Sequence, residues 1–261
     1  MSAERITYPS ASGGVQAYLA KPDSGSAPWP GLIVIQEVFG LVDHIEDLAR
    51  RFAGEGYVAI APDLYCHDQV KKTIADQDLM QAMGARSAPD PEAVLKQLPP
   101  ERESAARKAL EWLTKRDMST YVPDLRAAVD YLRSRPDVRK NAIGSIGYCM
   151  GGMLSGALAA SGIDIQAAVI YYGQNPWIDQ VQNIRCPVQG HYGGEDPNIT
   201  SGIPKLDEAM KKHGKPFTHF VYEGAKHAFF NDQRPNYHPG AAKLAWGRTI
   251  DFLGKHVKGA R

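Results

Sequence analysis

Three short stretches of this chain carry side chains that could do chemistry together. In GYCMGG, Cys149 stands between Gly147 and Gly151; HYGGEDPNI contains Glu195 and Asp196; YEGAKHAF contains His227. A thiol becomes a strong nucleophile when a base holds its proton, and the base works best when a carboxylate orients it. Cys, His and Asp together would perform acyl transfer, with attack on a carbonyl carbon, a tetrahedral oxyanion and a covalent acyl-thioester. Each residue also has a plainer reading. Free cysteine is a common small core residue, Asp is a good turn former, and a histidine, one of eight here, is usually a surface or satisfied polar group. Glu195 is an adjacent rival for the acid.

The elements around these stretches decide between the readings. G-x-C-x-G serves as a nucleophile elbow only between a strand and a helix, where the sharp turn strains the central residue and leaves no room for side chains at the flanking positions. The apolar run NAIGSIGY predicts that strand, and a helix is expected from about Met150, whose N-terminus would favour a thiolate. CPVQGHYG predicts a strand running into the Asp196 loop, and FTHFVYEG a strand running into the His227 loop. The order nucleophile, acid, histidine is that of an α/β-hydrolase sheet, and all three loops then open on the edge where open α/β sheets bind ligands.

The rest of the chain fits the same frame. ITYPS and VQAYLAK read as a hairpin across ASGG. GLIVIQEV and YVAIAPDLY are buried-strand runs joined by a helix with Ile45, Leu48, Ala49 and Phe52 on one face. Val122, Leu125, Val129 and Leu132 mark a further helix, QAAVIYYG a strand, Ile203, Leu206 and Met210 a helix, and a last helix carries Leu244, Ala245, Phe252 and Leu253. Continuous apolar strands alternating with helices imply a mostly parallel central sheet with helices on both faces. From Cys66 to about Tyr121 the rhythm breaks into charged, helix-like pieces with Ala106, Ala109, Leu110 and Leu113 at helical spacing. This predicts a helical insert at about 66–120, after the APDLY strand, in a single domain spanning 1–261.

Composition narrows the partners. With 30 basic against 29 acidic residues and no long run of either sign, nothing marks a nucleic-acid or anionic-membrane surface. MSAERITYPS lacks the basic start and apolar core of a signal peptide, and no apolar run approaches the ~20 residues that span a bilayer, so the expected location is cytoplasmic. The three cysteines form neither a disulfide framework nor a zinc pattern, so no metal or cofactor is expected and Cys66 and Cys186 read as packing. A small-molecule substrate fits best; oligomeric state is not encoded in any feature identified.

The chain resembles the dienelactone hydrolase family along most of its length. The resemblance rests on IQEVFG, APDLY, GYCMGG, HYGGED, GAKHAF and TIDFL. It implies an α/β-hydrolase fold with cysteine as nucleophile, a Cys149, Asp196 and His227 triad, and the choice of Asp196 over Glu195. It also implies that Glu37, in the Q-E-x-F-G motif, lies beside the thiol and helps take its proton when substrate arrives. An acidic residue closing a run as apolar as LIVI needs a partner, which favours that role. The backbone amides of Val38 and Met150 are the expected oxyanion donors.

The resemblance departs at the substrate. Where dienelactone-cleaving members place a carboxylate-binding arginine after the histidine, this chain has Asn231, and its nearest arginine is Arg234; Arg107 in the insert is the nearest match to a second arginine. Tyr65, Arg107, Phe229 and Asn231 are the candidate substrate-binding residues. The expected function is a dienelactone hydrolase-like carboxymethylenebutenolidase or esterase acting on a small carboxylic ester or lactone. Two alternatives share these residues: a hydrolase or acyl transferase of other activated acyl groups, such as thioesters or peptides, and an idle α/β-hydrolase-fold binding or redox-sensor protein.

Overall fold

The computed structural model describes residues 2–260. In chain order the elements are β1 (Ser2–Ser10), β2 (Gly13–Lys21), β3 (Trp29–Ile35), α1 (Asp43–Gly54), β4 (Val58–Pro62), α2 (Asp76–Ser87), α3 (Pro91–Lys96), α4 (Pro100–Lys115), α5 (Val122–Ser134), β5 (Val138–Tyr148), α6 (Met150–Ala160), β6 (Ala167–Tyr171), β7 (Val188–Gly193), α7 (Pro197–Thr200), α8 (Ile203–Lys212), β8 (Phe217–Tyr222) and α9 (Pro239–Leu253). The chain divides into two compact units, one built from the residues up to Asp63 and from Tyr121 onward, the other from Leu64–Thr120.

The larger unit holds one eight-stranded sheet in the order β1-β2-β4-β3-β5-β6-β7-β8. The β1–β2 hairpin pairs antiparallel and β2 lies antiparallel to β4, whereas every pairing from β4 to β8 is parallel. The central strands are fully buried, as their unbroken apolar runs require. Alternate residues then face opposite layers. Leu32, Val34, Ala59, Ala61, Val169 and Tyr171 share a core with Ile45, Leu48 and Phe52 of α1 and Ala241, Ala245 and Leu253 of α9. The other face meets α5 and α6: a side chain at Gly31 would press on Leu132, and one at Gly156 would press on Ile170. This is the α/β-hydrolase architecture, a mostly parallel sheet with helices on both faces.

Leu244 is 56% exposed, because the buried stripe of α9 runs through Ala241, Ala242, Ala245 and Leu253 and leaves Leu244 on the solvent side. The smaller unit is helical, as its charged periodic pieces suggest, and α2, α3 and α4 bury Ala85, Leu95 and Ala106 against one another.

Strand register positions the site. Ile35 pairs with Gly147, Tyr148 with Tyr171, Tyr171 with His191 and Gly193 with Tyr222. The carboxyl ends of β3, β5, β6, β7 and β8 therefore line one edge, and the residues just beyond them share it.

Candidate active site

Cys149 sits between β5 and α6 with φ 54° and ψ −116°. A non-glycine residue there is strained and persists only when its surroundings hold it. They do: its amide donates to the Tyr171 carbonyl at 3.0 Å, and its carbonyl accepts from Gly152 at 3.0 Å and Met153 at 3.3 Å. A side chain at Gly147 would overlap the backbone of Gly151, and one at Gly151 would overlap the carbonyls of Ile35 and Gln36. Both glycines are thus demanded by close packing of the elbow against the end of β3. Met150 opens α6 directly behind the thiol, and Val38 lies in the β3–α1 loop that this packing brings to the elbow.

Asp196 follows β7 and is 6% exposed. Its amide donates to the Gly193 carbonyl, while the amide of Glu195 donates to the Ala225 carbonyl at 2.9 Å, which ties the acid loop to the histidine loop. Glu195 itself points to solvent. His227 follows β8, and its carbonyl accepts from Asn236 Nδ2 at 3.0 Å. Its Nδ1 lies 2.6 Å from Asp196 Oδ2 and its Nε2 lies 3.2 Å from Cys149 Sγ. The structure thus joins the three stretches picked out by chemistry into one chain of contacts. Burial opposes the imidazolium, but the charges and hydrogen bonds of Cys149 and Asp196 outweigh it and push His227 up to about 11.

Glu37 is 2% exposed beyond the end of β3. Its Oε1 accepts from the Tyr172 hydroxyl at 3.2 Å and its Oε2 from Asn231 Nδ2 at 2.8 Å. Burial raises its carboxyl above the usual range, against the opposing pull of Asn231, His227, Tyr172 and Arg234. Its two oxygens are engaged by these donors, and the thiol's hydrogen bond goes to His227 rather than to Glu37.

Tyr172 is a site residue that the sequence reading missed. It follows β6 with φ 38°, donates its amide to the His191 carbonyl at 2.8 Å, and sets its ring edge-on to His227 at 5.2 Å while its hydroxyl reaches Glu37. Its signal was positional: the second tyrosine of VIYYG ends a strand on the same edge as the elbow.

The expected substrate-binding residues are placed differently. Asn231 is 2% exposed and bound to Glu37, so its amide is not offered to a substrate carboxylate. Phe229 is fully buried among Tyr171, Tyr172 and Tyr222 as core packing. Arg107, on the surface of the smaller unit, spends its guanidinium on both oxygens of Glu92 at 2.8 Å and on Glu103. Tyr65 is 4% exposed, packed edge-on to Trp112 at 5.4 Å, with its hydroxyl accepting from Arg116 at 3.2 Å. Arg234 lays its guanidinium over the Phe39 ring at 4.1 Å, next in sequence to Val38.

Among the described residues no cluster of three or more His, Cys, Asp or Glu could hold a metal ion, and no helix is long and apolar enough to cross a membrane. Among the described residues no disulfide joins Cys66, Cys149 or Cys186.

Comparison with known proteins points the same way. The profile of the Dienelactone hydrolase family matches residues 15–257. A protein of Saccharolobus solfataricus, provisionally named a carboxymethylenebutenolidase, is 35% identical over 98% of this chain and 99% of its own. A likewise named protein of Synechocystis is 31% identical over 97% of this chain and 96% of its own. Among solved structures, a provisionally named dienelactone hydrolase from Klebsiella pneumoniae superposes with a TM-score of 0.78 at 27% identity, covering 98% of this chain and 99% of that one.

Proposed function

The chain belongs to the dienelactone hydrolase family and is an ester or lactone hydrolase, and on that premise we propose that it works through Cys149, His227 and Asp196 by an acyl-thioester. The supporting observation is the unbroken line from Asp196 through His227 to the Cys149 sulfur, at 2.6 and 3.2 Å.

In this mechanism the Cys149 thiolate attacks the carbonyl carbon of a small carboxylic ester or lactone, and the pair of electrons displaced from the C=O bond rests on the oxyanion. The amides of Met150 and Val38 receive that charge. As the tetrahedral intermediate collapses, His227 gives its proton to the leaving alkoxide, which in a lactone remains attached to the acyl group. A water molecule then loses a proton to His227, attacks the thioester and releases the acid, returning sulfur as thiolate. Asp196 holds the imidazole ring in the tautomer and orientation both steps require. Glu37 supports the Cys149 and His227 pair: its carboxylate acts by charge on the His227 imidazolium, and it helps take the thiol's proton when substrate arrives. Cysteines kept as thiols rather than joined in a disulfide fit a reducing compartment, and we place the enzyme in the cytoplasm.

The test is turnover of a chromogenic short-chain ester by the native protein and by Cys149→Ala and His227→Ala. The proposal expects at least a ~1,000-fold loss in each variant; equal turnover in all three would sink it.

A further inference from the structure

Glu37 is held by an arrangement that says more than its burial. Asn231 Oδ1 accepts the amide of Gln233 at 3.0 Å, which fixes the side-chain amide so that Nδ2 must face Glu37. Tyr172 donates to the other oxygen, with its ring held by Tyr148, Tyr171 and Phe229. Both partners are neutral donors. They stabilise the carboxylate form without adding a permanent charge, unlike an arginine or lysine in either place.

We propose that Asn231 and Tyr172 are positioning residues that set the proton affinity of Glu37 and, through it, the lower end of the pH range in which the Cys149 thiol is activated. The inference rests on the reading that an ionised Glu37 supports the Cys149 and His227 pair. The groups facing Glu37 are few: the His227 imidazole and Arg234 act on it by charge, Tyr172 and Asn231 by hydrogen bonds, and the buried hydroxyl of Tyr148 feels its charge in turn. Of these, only the two neutral donors touch the carboxylate. As pH falls, Glu37 takes a proton from solvent and one oxygen becomes a hydroxyl. The donor at that oxygen then loses its charged acceptor, and the imidazolium that activates the thiol loses the negative charge acting on it. Each donor opposes that protonation. Asn231, at 2.8 Å, opposes it more than Tyr172 at 3.2 Å.

The experiment is the pH profile of kcat/KM, each variant normalised to its own maximum, for the native enzyme, Asn231→Ala, Asn231→Asp, Tyr172→Phe and Glu37→Gln, with thermal melts to establish folding. Losing a donor to the carboxylate raises its pKa, so the acid limb moves to higher pH. The expected shift is about one pH unit in Asn231→Ala and less in Tyr172→Phe, which keeps the ring against His227. Asn231→Asp keeps the Gln233 contact but sets a second carboxyl against Glu37, where both cannot ionise, and shifts the limb furthest. Glu37→Gln loses that limb. If Asn231→Ala fails to fold, Tyr172→Phe and Asn231→Asp carry the test. A limb that stays in place in the folded donor variants, while Glu37→Gln abolishes it, overturns this inference alone. An acid limb unchanged in Glu37→Gln overturns the reading of Glu37 beneath it, and full activity in Cys149→Ala overturns the mechanism as a whole.

Discussion

Replacing Cys149 by Ala removes the sulfur 3.2 Å from His227 Nε2, and the histidine should report the loss directly. With an effective dielectric constant of about 20, unit charges at that separation attract by about 5 kcal/mol, or roughly 4 pKa units. The His227 side chain is 37% exposed, and solvent screening there reduces this to about 2 units. His227, pushed up to about 11 in the native protein, should therefore titrate near pH 9 or below in Cys149→Ala, with Asp196 the chief partner sustaining what remains of the shift. The assay is a titration of the His227 ring protons by NMR in both proteins, assigned with His227→Gln. The sign follows from the geometry: a raised histidine pKa means the imidazolium is favoured by its partners, so removing an anionic partner must lower it. A His227 pKa that stays within half a unit of the native value on losing the sulfur would refute the claim that Cys149 holds the imidazolium.

Asp196→Asn should keep the ring contact while removing its charge and allowing the wrong tautomer; a loss of at least ~100-fold in kcat is expected in steady-state ester hydrolysis, with little change in KM. Gly147→Ala forces a side chain into the Gly151 backbone, and a destabilisation of at least ~3 kcal/mol by urea titration is expected. With Asn231 spent on Glu37 and Arg107 spent on Glu92 and Glu103, a lactone bearing a free carboxylate should gain no more than about tenfold in kcat/KM over a neutral ester of similar size. Arg107→Ala should leave that ratio within about twofold.

What could be read from the chain alone was local or periodic. The elbow was legible because Gly147 and Gly151 answer a steric demand within five residues, and strand identity because β4, β6, nearly all of β3 and the second half of β5 are buried on both faces and so mostly apolar. Asp196 and His227 were legible from their places after successive strands. The surroundings of Glu37 were not. Its partners Tyr172 and Asn231 lie 135 and 194 positions away, and neither residue type announces a buried carboxylate as its acceptor. Phe229 was misread for a related reason: adjacency to the catalytic histidine does not say which way a side chain turns, and the positive φ of Ala228 sends the chain into the core. Leu244 shows the limit of helical periodicity where alanines form the buried stripe and a leucine is left outside it.

The central claim is that the acyl group passes through the sulfur of Cys149. Rapid quenching of the native enzyme during turnover of a slowly deacylated ester, followed by intact-mass and peptide mapping, tests it. The account predicts one acyl adduct on the peptide carrying Cys149, released by hydroxylamine and lost in Cys149→Ala. An adduct on any other residue, or steady turnover in Cys149→Ala, would contradict it.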